Sequence, residues 1–411
     1  MPYDEGNPRR STSPHQIVVV EVGGTLGFDL PRVGLGMASH GEALSERETD
    51  LITALRPSHL RADLQLTTDS WRSILDHGAE TSRSTATGLE LALFLGSDPK
   101  SELEALAAAL PLAQARILRV LVLQDGRPVV DPSVVRMAKG SLAAPAPEAP
   151  FAGGTDGGFA AFDRDPPAGD DLDAVVYSIC ATAHADDGSS AMETASAHGD
   201  TVRSAQALCA GLPVVVSPVT IRPRDRRFGP PDGVSGSSNE VDPRQSSLFG
   251  AAWTMASLAS LAQAGASSVT YFETTGWRGV MEQEGAAHPL AFTSRPGAVF
   301  PLYHVLADVR EWEFGQVGES RSSAPLDLTV LCAHTLDGLR ILLANLTPEP
   351  RRCRLGPLSA AQVAVRFLDE SNVVSACDDP ENFRGRYAKR RTRAGALELE
   401  LAPFAFVRVN A

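Results

Sequence analysis

The sequence predicts a (β/α)8 TIM barrel followed by a C-terminal antiparallel β-sandwich. From Val33 to about residue 312, short apolar runs alternate with longer helical patterns, as parallel β/α units require. Eight such runs are present, the number that closes a barrel. After about residue 315 the pattern changes to β-like runs separated by turn residues. The 411 residues suit a large barrel plus an accessory module. The expected division is a flexible lead-in over 1–30, a barrel over 31–314 and a sandwich over 315–411.

The expected barrel strands are 33–37, 60–66, 89–95, 117–123, 151–153, 174–179, 213–219 and 268–273. Ser45 and Glu48 form a capping-box pattern: the hydroxyl accepts a backbone N–H while the carboxylate reaches back. Leu51 and Leu55 then share a face, and Pro57 stops the helix. Ser101 and Glu104 repeat the pattern before an Ala/Leu-rich helix. Asp242 and Pro243 read as N-cap and first-turn proline for a helix bearing Leu248, Ala252, Met255, Leu258 and Ala262. Gly265 closes it. Residues 222–239 read as a long Gly/Pro/Ser insertion where barrel enzymes keep functional loops. The sandwich runs are 328–333, 339–345, 363–368 and 397–409, with no helix expected between them.

Composition excludes several classes. Lys plus Arg total 37 against 50 Asp plus Glu, a net charge of -13, which disfavours nucleic acid or an anionic membrane as partner. A content of 43% hydrophobic and 21% charged residues is that of a globular chain, not a disordered one. No apolar stretch reaches the ~18 residues that span a bilayer. The polar opening MPYDEGNPRR lacks the apolar core of a secretion signal, so a cytoplasmic location is expected. Five scattered cysteines without Cys-x-x-Cys spacing fit a reducing compartment.

Barrel chemistry gathers at the C-terminal ends of the strands. In the second strand Leu60, Ala62, Leu64 and Leu66 share one face, so Arg61 and Asp63 point inward, as substrate-binding groups or as a structural ion pair. The eighth strand ends at Glu273, and Trp277 and Arg278 follow in a turn. Strict alternation puts Val269, Tyr271 and Glu273 on one face, expected to open into the barrel mouth. There Glu273 is a candidate general base or nucleophile; the plain alternative is a capping or solvent-paired Glu. His184, beside Asp186 and Asp187 after the sixth strand, reads as an oriented acid/base or part of a metal site, although the aspartates equally suit a turn. Asp156 lies in a glycine-rich loop after the fifth strand and Asp125 follows the fourth. Arg222 and Arg224 follow the seventh, able to polarise a carbonyl or hold a carboxylate. A solvated loop is the simpler reading for Arg224, so Arg222 is taken as the site residue. Tyr177 and Trp277 are expected to wall a sugar site.

Neither a Gly-x-Ser-x-Gly elbow nor His-Glu-x-x-His nor a Walker loop is present, and no His, Asp and Glu set has local metal-ligand spacing. No cofactor and no metal are therefore expected. Gly34 and Gly36 lack the third glycine of a dinucleotide fingerprint and read as a site of close packing.

The segments VGLGMAS, FAGGTDGGFAAFDR, SPVTIRPR, DPRQSSLFGAAW and ETTGWRG together resemble the D-apionate lactonase family, over about residue 32 to the end. That resemblance implies a glycoside-hydrolase-type barrel flanked by β domains, with the lead-in as the remnant of an N-terminal β domain. It also implies hydrolysis of D-apionolactone to D-apionate, and marks Glu273, Asp156, His184 and Arg222 as motif positions. Sugar-cleaving barrels carry an Asn-Glu pair after strand four, where this chain has Gln124 and Asp125. The expectation is a metal-independent sugar-lactone hydrolase. Glu273 would activate water with help from His184, Arg222 would stabilise the oxyanion, and Asp156 or His184 would protonate the leaving alkoxide. A glycosidase and a non-catalytic carbohydrate-binding module are the rival readings.

Overall fold

Eight parallel strands close a barrel in simple chain order, in a computed structural model that describes residues 16–224, 241–285 and 294–411. They are β2 (Arg32–Gly36), β3 (Leu60–Gln65), β4 (Leu89–Leu95), β5 (Ile117–Gln124), β6 (Phe151–Gly154), β7 (Ala174–Cys180), β8 (Val214–Thr220) and β9 (Ser268–Glu273). Period-two patterning explains the layers. Leu89, Leu91, Leu93 and Leu95 of β4 pack outward against the helices. Ala92 and Phe94 point inward to meet Leu121, Leu123, Ala152, Val176 and Val215.

The helices are α1 (Glu46–Leu55), α2 (Trp71–Ser84), α3 (Pro99–Ala113), α4 (Pro132–Leu142), α5 (Phe159–Arg164), α6 (Gly188–Leu208), α7 (Leu248–Gln263) and α8 (Pro301–Arg310). The α1 capping box forms: the Ser45 N–H donates to Glu48 Oε2 at 2.8 Å and the Glu48 N–H to Ser45 Oγ at 3.1 Å. The second expected box does not. α3 starts earlier, capped by Asp98, which accepts the Ser101 N–H; Glu102 instead accepts the Gly96 N–H at 2.7 Å. Asp242 and Pro243 open a turn, and α7 begins only after Ser247. α7 is buried on almost every face because it lies between barrel and sheet, where Gln263 Nε2 donates to the Val330 carbonyl at 2.8 Å.

The second region is a nine-stranded sheet: β1 (Ile17–Asp29), β10 (Gln316–Ser322), β11 (Leu328–Thr335), β12 (Gly338–Asn345), β13 (Arg351–Gly356), β14 (Gln362–Leu368), β15 (Ala388–Arg391), β16 (Leu397–Leu401) and β17 (Phe406–Asn410). Their order is β15-β14-β17-β12-β11-β10-β1-β13-β16, and every pair is antiparallel except β1 with β13. Residues from β13 and β16 at one end share an apolar core with β14 at the other, so the sheet folds over on itself.

Three expectations need correcting here. The stretch read as a lead-in carries a 13-residue strand, β1, with Val18, Val20 and Val22 in the sheet's core. Its partners are about three hundred positions away, beyond the reach of local patterning. The run 397–409 is two strands, β16 and β17, and two short helices, α9 (Val373–Asp378) and α10 (Pro380–Gly385), lie where none was expected. Among the described residues no helix is long and apolar enough to cross a membrane.

Candidate active site

Glu273 reaches the barrel mouth through a break in strand alternation. Thr270 faces inward, its hydroxyl 2.8 Å from His59 Nε2 and 2.7 Å from Ser217 Oγ. Tyr271 faces outward, its hydroxyl 2.6 Å from Ser257 Oγ on α7. Regular alternation from these two would send Glu273 outward with Tyr271. Instead Phe272 adopts a left-handed φ of 49°, and β9 takes three steps from Thr270 to Glu273 while β2 takes two from Gly34 to Gly36. This is a β-bulge, and it re-aims the side chain that follows. The inward placement thus arises from the extra residue, not from the shared face expected of Val269, Tyr271 and Glu273. Gly36 makes room: a Cβ there would stand 2.9 Å from the Phe272 carbonyl oxygen.

At the mouth Glu273 is 2% exposed, and its Oε2 accepts the Ser39 N–H at 2.8 Å. Its Oε1 lies 3.9 Å from Arg224 Nη2 and 3.8 Å from Arg278 Nη1. Arg224 Nη2 is also 3.0 Å from Asp63 Oδ2, while Asp63 Oδ1 accepts from Arg61 Nε at 2.6 Å. Arg61 then donates to Ser217 Oγ at 3.0 Å and sets Nη2 3.6 Å from Asp156. Burial opposes the charge on Arg224, but Asp63, Glu273 and Asp156 outweigh it and raise its pKa. Glu273 Oε1, Arg61 Nη2 and Arg224 Nε are all buried, and none has a hydrogen-bond partner among the described residues.

Beneath this line lies a second polar layer. Glu90 is fully buried, accepting from Arg119 Nη1 at 2.7 Å and from Ser217 Oγ at 2.7 Å. Burial alone would raise its pKa, but His59, Arg119 and Arg61 bring it down to about 2. Burial lowers the His59 pKa to about 4, so that ring is neutral at pH 7 and Arg119 is the lasting countercharge. Gly34 admits the imidazole; a Cβ there would meet His59 Nε2 at 2.2 Å, the close packing expected of that glycine.

The other expected residues divide. Asp156 and Asp125 line one cavity of about 180 Å³ with Gln124, Thr155 and Gly157, at the ends of β5 and β6. Gln65 donates to Asp125. Trp277 is half-buried in the turn after β9. Arg222 is not in the Glu273 group: its Nε is 3.2 Å from buried Asp242 and its Nη1 3.6 Å from Asp186. Tyr177 faces the helix layer, bonded to Thr201 Oγ1 at 2.8 Å and packed on Phe159 and Phe162, because its strand position has outward parity with Val175 and Ile179. His184 is exposed on the loop after β7, and among the described residues no hydrogen bond or ion pair joins it to Glu273, Asp156 or Arg61. Asp187 caps α6, the turn role weighed above. Of the insertion 222–239, residues from 225 lie outside the described part.

Arg224, read from the sequence as a solvated loop residue, belongs to the group instead, and Ser39, Ser217, His59 and Glu90 were not foreseen in it. Glu90 was findable, a lone charge amid LELALFL on the inward parity; Ser39 contributes only a backbone N–H and leaves no signal. Among the described residues no three His, Cys, Asp or Glu side chains are grouped so as to hold a metal ion.

The profile of the D-apionate lactonase TIM barrel domain matches residues 33–314, and that of the D-apionate lactonase C-terminal immunoglobulin-like domain matches 325–409. No curated protein matches the chain. Among solved structures, the fold is similar to AbfB, a family 51 alpha-L-arabinofuranosidase from Bifidobacterium longum. That likeness has a TM-score of 0.65 at 12% identity, over 97% of this chain and 99% of the other. A GH30 endoxylanase from Clostridium papyrosolvens is similar at TM-score 0.60 and 12% identity, over 96% and 100%. A conserved exported protein from Bacteroides fragilis is similar at TM-score 0.63 and 8% identity, over 95% and 99%. At these identities the likeness is one of fold.

Proposed function

This chain belongs to the D-apionate lactonase family, and on that premise we propose that it hydrolyses the ring ester of a sugar-acid lactone of the D-apionolactone type. The observation that carries the reading is the group of buried, unsatisfied polar atoms at the mouth: an acceptor on Glu273 beside donors on Arg61 and Arg224. Each such atom costs about 1–3 kcal/mol without a partner, and a polar ring ester with its attacking water supplies partners for all of them.

The cycle needs few groups. Glu273, within 4 Å of both Arg224 and Arg278, takes a proton from water. The water oxygen bonds to the lactone carbonyl carbon, and the carbonyl oxygen becomes an oxyanion. The free donors of Arg61 and Arg224 stabilise it, the role sequence reasoning gave to Arg222. When the intermediate collapses, the ring C–O bond breaks and the leaving alkoxide takes the proton back from Glu273. The product is an open hydroxy acid that ionises in solution. Asp63 holds both arginines in place, Asp156 and Asp125 offer hydroxyl-binding carboxylates in the adjacent cavity, and exposed His184 is not needed. A glycosidase would require a second carboxyl group facing Glu273 across the substrate. The counterpart strand end carries Asp125, tied to Gln65 instead.

Glu273→Gln tests the assignment. The amide keeps the shape, so turnover should fall by at least ~10²-fold while the melting transition stays near that of the parent. Near-parental turnover with a lowered melting transition would make Glu273 a structural residue.

A further inference from the structure

We infer that Phe272 and Tyr271 are positioning residues for Glu273: the bulge in β9 is a built device that α7 holds in place, and it is what delivers the carboxylate to the mouth. The inference rests on the reading of Glu273 as the base. Its evidence is independent of that reading.

A bulky residue with positive φ is a genuine outlier that persists only where its surroundings over-determine it. Here they do. On the residue before, the Tyr271 hydroxyl is 2.6 Å from Ser257 Oγ, and Ser257 Oγ is 2.9 Å from His198 Nδ1 on α6. His198 is deeply buried and burial lowers its pKa to about 3, so the ring is neutral and its hydrogen bond does not switch near pH 7. On the bulged residue itself, the Phe272 ring packs 6.2 Å from Trp253, also on α7. Two successive side chains therefore face outward into one helix. That forces the backbone to spend an extra residue, and the next side chain emerges inward. On the residue after, the Glu273 N–H donates to the Arg278 carbonyl at 3.0 Å and the Val280 N–H to the Glu273 carbonyl at 3.0 Å, which pins the turn beyond. Opposite the bulge, Gly36 leaves space that any other residue would fill.

Conformation and packing make opposite predictions for two substitutions. Glycine adopts positive φ freely, whereas a β-branched residue resists it strongly. Phe272→Val keeps more of the apolar side chain, so packing alone ranks Val above Gly in both melting temperature and turnover. The positioning role ranks them the other way for turnover. Phe272→Gly should be the less stable protein yet retain at least about tenfold more turnover than Phe272→Val, since displacements near 1 Å cost up to ~10²-fold. The loss in Phe272→Val should fall on kcat with little change in KM. Tyr271→Phe, which keeps the ring and loses only the Ser257 bond, should show a smaller loss of the same kind. It serves as the test if the valine variant does not fold.

Crystal structures give a readout free of activity. Glu273 Oε2 should stay near the Ser39 N–H in Phe272→Gly and leave it in Phe272→Val or, if that variant does not fold, in Tyr271→Phe. Turnover that follows melting temperature across these variants, or an unmoved carboxylate in the variant solved, overturns the inference. Loss of positioning in these variants while Glu273→Gln turns over normally would instead overturn the reading of Glu273 and leave the bulge as its aiming device.

Discussion

The two cores of this molecule are made of different material. In the sheet region Val18, Val20, Leu343, Leu355, Leu399 and Val407 form an apolar core, and the buried charges sit at its margins, Arg351 beside Asp327, and Arg366 and Arg408 on Asp308 of α8. Inside the barrel, at equal depth, sit Glu90, Arg61, His59, Ser217 and Thr270, all bonded to one another or to Asp63 and Arg119. A core that only has to hold is best built apolar, because buried ion pairs seldom outperform well-packed hydrophobic residues. Charge at such depth is retained where it orients something else. Here the polar layer supports Arg61, and through Asp63 also Arg224, directly beneath the mouth.

The sharpest way to break that contrast is to damage each core alone. Leu343→Ala opens a cavity in the apolar core and should cost about 2–5 kcal/mol of stability, with turnover per folded molecule unchanged. Thermal unfolding beside kcat checks it; a parallel fall in kcat would mean the sheet region serves the site directly. Arg224→Ala should do the reverse, lowering turnover about 10²-fold, or ~2.7 kcal/mol. Arg222→Ala, acting on a side chain committed to Asp242, should cost far less. Equal losses for the two arginines would move the oxyanion role back to Arg222.

Acid distinguishes the cores more gently. The folded-state pKa of His59 lies near 4 against an ordinary 6.5, so between these values the unfolded chain binds a proton that the folded one does not. Stability should therefore fall as pH drops through that window, by about 1.4 kcal/mol per unit for this group. His198 and His304, lowered to about 3, add slopes of the same sign. The Glu90 contribution is full above pH 4.5 and is lost only as pH falls toward 2. Denaturant titrations at pH 7 and 5 should show the decline, and a smaller one in His59→Gln. A chain that gains stability between pH 7 and 5 would contradict the neutral, buried His59.

Legibility in the sequence followed the same division. Barrel strands were readable because each is buried on both faces and bounded by its own turns, so local pattern suffices. β1 and β13 were missed because they pair with each other across some three hundred positions, β10 because its half-exposed run QVGESRS is polar and charged, and β15 because it is a charged edge strand, Ala388–Arg391. At the site, Glu273, Arg61, Asp63 and Asp156 were legible as charges at strand ends. The bulge at Phe272 was not, since no glycine announces the positive φ, and the choice of Arg222 over Arg224 turned on side-chain contacts that spacing does not encode.

Proton release measures lactone opening directly, and with it the proposed role of Glu273. A panel of sugar-acid lactones assayed beside aryl glycosides should yield one proton per ring opened by the parent protein. That signal should fall at least ~10²-fold in Glu273→Gln, with no glycoside cleaved by either. Glycoside cleavage that depends on Glu273, with every lactone left intact, would make the site that of a glycosidase and not of a lactonase.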